Sequence, residues 1–368
     1  MRYPKYIKQN DTIGFVSPSF GCGTEPYISA FENARHKLKQ RGYMDDVGYN
    51  CYKSDGIGRS TNAEDCAKEF MDYYKSEGNQ ALMSCGGGEL MCEILDFIDF
   101  KQLKSMEPKW FMGYSDNTHM TFLLTTICDT AAVYGPCAPA FGMEPWHKSL
   151  EDAMGILEGK VDTVKNYDGW EADSLKNEEN PLAPYNITEP FKLKKYKNFS
   201  SLNFSSLNFS SKDFNLRETS EVLSFSGRLL GGCLDCLINI SGTKFDNVKG
   251  FIEKYKEDGI VWFLESCDLN VMSIRRAMWQ LDAGGWFKYA KGFIIGRPYC
   301  MKEDVKNGAS MMGLDQYSAV LEVVKKYNVP VIMDADIGHL SPMMPLVLGS
   351  MADVRAEENS LVIEMKMI

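Results

Sequence analysis

Trp110-Phe111-Met112-Gly113-Tyr114-Ser115-Asp116-Asn117-Thr118 is the stretch on which the fold turns. An apolar run ends in glycine, a serine follows, and a helical pattern over about 117–128 begins within two residues. A strand passing sharply into a helix is the repeating unit of an open parallel sheet. The same alternation extends to both sides. Upstream, the run Thr12 to Pro18 precedes an amphipathic stretch over 28–41. A helical pattern over 62–75 precedes Ala81-Leu82-Met83-Ser84-Cys85, and another spans 90–97. Downstream comes Ala131-Ala132-Val133-Tyr134. The first 145 residues therefore predict an α/β unit with a parallel sheet and helices on both faces. Functional groups in such sheets collect at the carboxyl ends of the strands.

Beyond Trp146 the pattern fades. The segment 146–221 is polar and carries a five-residue Asn-Phe-Ser-Ser repeat over 198–211, read as a surface insertion of low order. Regular structure resumes near 222. Strands are expected at Gly259 to Glu265, Gly292 to Arg297 and Pro330 to Asp336. Helices are expected over 271–281 and 316–327, and the tail reads as two strands joined at 357–360. The spacing of Leu229, Leu230, Cys233, Leu234, Leu237 and Ile238 reads as a core helix holding the pair Cys233 and Cys236. The expected organisation is 1–145, a connection over 146–221, and a second α/β domain over 222–368.

Length and composition set the class. The chain has 368 residues, 44% hydrophobic and 24% charged, which suits a globular protein of about two domains. Its net charge of −10 argues against nucleic acid or an anionic membrane as partner. The opening residues hold no signal-peptide apolar stretch, and no run reaches the roughly 18 apolar residues a bilayer span needs. The eleven cysteines are scattered singly, so reduced thiols in a cytoplasmic protein are expected. Cys233-Leu234-Asp235-Cys236 has no second pair or histidine near it in sequence, so no metal is expected.

The chemistry converges on Ser115. A hydroxyl at a strand-to-helix turn faces the helix N-terminus and its backbone N–H groups, which suits a nucleophile beside an anion. The alternative is a helix cap formed by Ser115 or Asp116. A nucleophilic serine needs a base, and there are four histidines. His36 lies on a solvated helix pattern and His147 in a polar loop. His119 stands one helical turn beyond the serine, while His339 follows a predicted strand at Asp336-Ile337-Gly338-His339. Elimination favours His339, with His119 second. Glu265 ends an apolar strand, where an unpaired carboxylate would be costly, so a partner is expected for it. Asp334 and Asp336 compete with Glu265 for that role. Gly86-Gly87-Gly88 also follows a strand. It lacks a phosphate-loop signature and suits either backbone approaching an oxyanion or a tight turn.

These residues resemble the LD-carboxypeptidase family of serine peptidases, which holds muramoyltetrapeptide carboxypeptidases and microcin C immunity peptidases. The resemblance rests on Ser84-Cys85-Gly86-Gly87-Gly88, Gly113-Tyr114-Ser115-Asp116-Asn117-Thr118, Leu264-Glu265 and Gly338-His339 with Pro342-Met343. Further matches are Ile13-Gly14-Phe15-Val16-Ser17-Pro18, Gly227-Arg228-Leu229-Leu230-Gly231-Gly232 and Gly292-Phe293-Ile294-Ile295-Gly296-Arg297. It implies a flavodoxin-like N-terminal domain, a mixed α/β C-terminal domain, a homodimer, and a site between the domains. It also implies a Ser115–Glu265–His339 triad, with an oxyanion hole from the Asp116 amide and that of Gly87 or Gly88, and no cofactor. The expected reaction is release of terminal D-alanine from murein tetrapeptides, a small peptide substrate. The alternatives are a microcin-type peptidase cutting an aminoacyl-nucleotide amide, toward which the long 146–222 connection leans, and a non-catalytic two-domain ligand-binding module.

Overall fold

The structure is a computed structural model that describes residues 1–197, 199, 218–301 and 310–368. The Asn-Phe-Ser-Ser repeat over 198–211 lies outside the described residues, Phe199 excepted. Five strands open the chain: β1 (Thr12–Val16), β2 (Met44–Val47), β3 (Ala81–Ser84), β4 (Trp110–Gly113) and β5 (Ala132–Tyr134). All four neighbouring pairs among them run parallel, in the order β5-β4-β3-β1-β2. β3, β4 and β5 are buried at every position, which is why they read as continuous apolar runs rather than alternating ones. β2, with the sequence Met-Asp-Asp-Val, carries no apolar pattern because it is a half-exposed edge strand.

Helices cover the sheet where the periodicity places them. Tyr27–Gln40 turns Ala30, Phe31, Ala34 and Leu38 inward. Ala63–Lys75 is capped by Asn62, whose side chain accepts from the Asp65 N–H at 3.0 Å. The stretch read as helical over 90–97 is a 3₁₀ helix, Met91–Phe97.

The polar connection is more ordered than its sequence suggests. It holds the helix Lys148–Leu157, which buries Leu150, Ala153, Met154, Ile156 and Leu157. It also holds the short strands β6 (Thr163–Lys165), β7 (Gly169–Trp170), β8 (Glu189–Pro190) and β9 (Lys194–Tyr196). Two- and three-residue strands are too short for an alternation to register. The remaining strands are β10 (Leu223–Cys233), β11 (Ile260–Glu265), β12 (Ala290–Gly296), β13 (Ser310–Met311), β14 (Leu314–Asp315), β15 (Val331–Ala335), β16 (Leu346–Leu348), β17 (Met351–Glu357) and β18 (Ser360–Lys366). A second, mixed sheet has the order β6-β18-β17-β10-β11-β12-β15-β9, with β10, β11, β12 and β15 parallel, while β13 and β14 pair only with each other.

The core-helix reading of 229–238 is corrected here. Leu229, Leu230 and Cys233 lie in β10, and only Leu234–Ile240 is helical. Seven consecutive buried residues end β10, and a continuous apolar run does not distinguish a buried strand from a buried helix.

The two sheets are stitched together. β16 leaves the second half of the chain and pairs antiparallel with β5 of the first sheet. The helix Thr118–Thr126 is buried along its whole length. Its Phe122 stacks on Trp286 at 5.3 Å, and Trp286 stacks on Trp262 of β11 at 6.0 Å. Among the described residues, no helix is long and apolar enough to cross a membrane.

Candidate active site

Ser115 begins a short 3₁₀ turn two residues after β4 and leads into the helix Thr118–Thr126. Its φ of +62° is a left-handed conformation that a non-glycine residue adopts at some cost in strain. The surroundings hold it there. The Ser115 N–H donates to the Tyr134 hydroxyl at 3.2 Å. The Asn117 side-chain amide donates to the Gly86 and Tyr114 carbonyls at 2.7 and 3.1 Å, tying the serine turn to the glycine turn.

Glu265 is the last residue of β11, and His339 lies four residues beyond β15, so both stand at carboxyl ends of parallel strands. The structure joins all three. His339 Nε2 lies 2.9 Å from Ser115 Oγ, and Nδ1 lies 2.9 Å from Glu265 Oε2. The fully buried Glu265 side chain has a second partner, since the Tyr134 hydroxyl donates to its Oε1 at 2.5 Å. Burial alone would depress the His339 pKa, but the Glu265 charge and the Cys267 thiol hold it well above the ordinary histidine value. Burial alone would likewise raise Glu265, yet His339 and Tyr134 keep it below the usual glutamate value. The geometry therefore provides a hydroxyl, a base and an orienting acid in hydrogen-bond sequence.

The competing groups are engaged elsewhere. Asp336 pairs with Arg297 and accepts from the Tyr167 N–H at 2.7 Å; Asp334 accepts from the Tyr317 hydroxyl at 2.8 Å. His36 is exposed beside Gln40, and His147 accepts from the Ser149 N–H at the start of its helix.

The glycine turn packs against Ser115. A Cβ on Gly87 would sit 3.0 Å from Ser115 Cβ, 3.1 Å from its Oγ and 4.0 Å from the Asp116 nitrogen. A side chain at this position would crowd the Ser115 hydroxyl, and glycine leaves that space open. Gly88, at φ +141°, continues the turn and lines the same cavity.

Behind the serine lies a second cluster. The Asp116 carboxylate accepts from Ser19 and from the Met91 N–H at 2.8 Å. His119 Nδ1 lies 3.1 Å from Asp116 Oδ1, and Cys236 Sγ approaches the Ser115 carbonyl at 3.5 Å. Among the described residues, Asp116, His119 and Cys236 are the group whose atoms, within 4.8 Å of one another, have the composition to hold a metal ion. The histidine that Cys236 lacks in sequence is thus supplied by the fold. Two residues that sequence reasoning missed belong to the site. Tyr134 could have been flagged as a hydroxyl-bearing ring ending a wholly buried strand. The half-buried Lys176, in the polar connection, offered no pattern at all.

Comparison with known proteins follows the same lines. Residues 13–135 match the LD-carboxypeptidase N-terminal domain and residues 226–354 the LD-carboxypeptidase C-terminal domain. A "Probable murein peptide carboxypeptidase" of Bacillus subtilis (strain 168) is 22% identical over 98% of this chain and 94% of its own length. Two solved structures share the fold. Microcin C7 self immunity protein MccF, in complex with aspartyl sulfamoyl adenosine, aligns with a TM-score of 0.74 at 21% identity. The alignment covers 99% of this chain and 98% of that one. The muramoyltetrapeptide carboxypeptidase of Oxalobacter formigenes aligns at 0.65 and 18%, covering 97% and 99%.

Proposed function

The chain belongs to the LD-carboxypeptidase family and is a serine carboxypeptidase, and on that premise we propose that it hydrolyses the L,D-amide of murein tetrapeptides, releasing terminal D-alanine. The observation that carries the reading is the chain of 2.9 Å contacts from Ser115 through His339 to Glu265. Ser115 Oγ attacks the scissile carbonyl carbon while His339 Nε2 takes its proton. Glu265 holds Nδ1–H and stabilises the imidazolium that forms. The Asp116 amide and that of Gly87 or Gly88 donate to the tetrahedral oxyanion. His339 then gives its proton to the departing D-alanine nitrogen, leaving an acyl-enzyme on Ser115. Water, deprotonated by His339, releases the shortened peptide and restores the serine. No step requires a metal or organic cofactor. The activity belongs to wall recycling in the cytoplasm, by an enzyme expected to act as a homodimer.

Mass spectrometry of murein tetrapeptide incubated with the pure protein tests this. Tripeptide plus D-alanine is the expected outcome, and intact tetrapeptide after long incubation with folded protein refutes it. A second reading, cleavage of an aminoacyl-nucleotide amide, has a specific support: Phe20, Tyr27, Tyr114 and Tyr185 line the cavity and offer rings on which a base could stack. An aminoacyl sulfamoyl nucleoside assayed beside the tetrapeptide separates the two.

A further inference from the structure

The cavity that contains Ser115 has a volume of about 490 Å³. Among the described residues, its lining carries two carboxylates, Glu89 and Glu171, and a single cationic side chain, Lys176. Lys176 stands in the loop between β7 and β8, far in sequence from every triad residue. Its ammonium makes no hydrogen bond or ion pair among the described residues. Burial lowers its pKa, and the charge of Glu171 offsets that only in part. Lys109 shows how this fold treats a desolvated ammonium that has a structural task. That Nζ donates to the Tyr73 and Ser76 carbonyls and to Asn79 Oδ1, at 3.0, 2.7 and 2.6 Å. Lys176 has the desolvation without the acceptors. A partly desolvated cation facing a reaction cavity is matched by an anion that arrives with the ligand.

We propose that Lys176 binds the free terminal carboxylate of the peptide substrate and so confines cleavage to the last residue. This rests on the carboxypeptidase reading above. A carboxypeptidase must tell a terminal carboxylate from the amide of a longer chain. A charged donor left unpaired by the wrong substrate does this far better than shape. Within this cavity, the other charged groups are carboxylates, which repel the same anion. Lys176 touches no reacting atom in this scheme. It is a specificity residue and acts through where the substrate settles.

The test compares a murein tetrapeptide ending in D-alanine with the same peptide ending in D-alanine carboxamide, on full-length protein. Wild type should favour the acid by about 10²-fold in kcat/KM. Lys176→Met should erase most of that preference, with the loss on the acid appearing in KM more than in kcat. Lys176→Arg should restore part of it, and Lys176→Glu should favour the carboxamide. Thermal unfolding of each variant checks that the fold is kept, and should Lys176→Met fail to fold, the arginine and glutamate variants decide alone. An acid preference that survives in Lys176→Met or Lys176→Glu overturns the assignment, as does wild type cutting both peptides equally, while either result leaves the reaction itself intact. Wild type cutting neither peptide refutes the reaction, and the role of Lys176 falls with it.

Discussion

Two histidines stand close to the same serine in space, His119 fully buried and His339 nearly so, each with a carboxylate against its Nδ1. His339 is 2.9 Å from Glu265 and His119 is 3.1 Å from Asp116. Both imidazoles are held well above the ordinary histidine pKa against the pull of burial, His339 chiefly by Glu265, His119 by Cys236 and Asp116. By acid–base character the pairs look alike. They differ at the other nitrogen. His339 Nε2 meets Ser115 Oγ at 2.9 Å, whereas His119 Nε2 is buried without a hydrogen-bond partner among the described residues. The His339 side chain is 12% exposed, and that of His119 is 1% exposed, sealed behind the serine. A histidine–carboxylate pair with a perturbed pKa is therefore not enough to mark a base. Access to the nucleophile decides.

The largest expected effect tests the group both pairs surround. Ser115→Ala should cut D-alanine release by about 10⁵-fold, leaving only what binding and the oxyanion donors supply. Its urea midpoint should stay close to wild type. A variant retaining a tenth of wild-type turnover would remove the reason for comparing the histidines at all.

Next comes the comparison itself. His339→Ala should cost at least about 10³-fold in kcat and little stability. His119→Ala should do the reverse, costing about 1–3 kcal/mol of stability because the buried Asp116 carboxylate loses a donor. Its kcat should fall at least tenfold less than that of His339→Ala. Equal kinetic losses in the two variants would dissolve the distinction.

The pH profile sharpens the difference without removing either ring. As the proposed base, His339 must be neutral to accept the Ser115 proton, and its pKa is raised, so kcat/KM should climb with pH along a limb above the ordinary value of about 6.5. Glu265→Gln removes the charge that raises it, so the limb should move to lower pH even as the plateau falls. The linked stability has the opposite sense. A raised folded pKa stabilises fully below about 6.5, and that stabilisation is lost as pH rises through the folded value. A limb that stays in place in Glu265→Gln would assign it to another group.

The smallest expected effect concerns the strut between the sheets. Tyr134→Phe keeps the packed ring but removes the hydroxyl shared by Glu265 and the Ser115 N–H. Turnover should fall about tenfold, equivalent to about 1.4 kcal/mol. An unchanged rate would show that Glu265 needs no second donor.

Much of this site was legible because strand ends announce themselves. Ser115, Glu265 and His339 each follow an apolar run that stops abruptly, and in a parallel sheet that is where polar groups gather. The long helices were equally legible, since their inward faces repeat at the helical period. β10 was misread because its seven final residues are all buried, and an unbroken buried run carries no strand alternation. The helix Lys148–Leu157 escaped notice inside a polar segment.

The sequence by itself determined the parallel α/β sheet, the serine turn, the glycine turn and the short list of bases and acids, because each depends on neighbours within a few residues. Which base meets which acid was decided only by the tertiary structure. Ser115 and His339 are 224 positions apart, and Glu265 and Tyr134 are 131 apart. No local periodicity records those meetings. They follow from two sheets sharing a buried helix and exchanging β16, which fixes the ends of β4, β5, β11 and β15 against one another. The same packing brought the Cys236 thiol beside His119 but kept that ring from the hydroxyl, a distinction that four histidines in a linear chain do not carry.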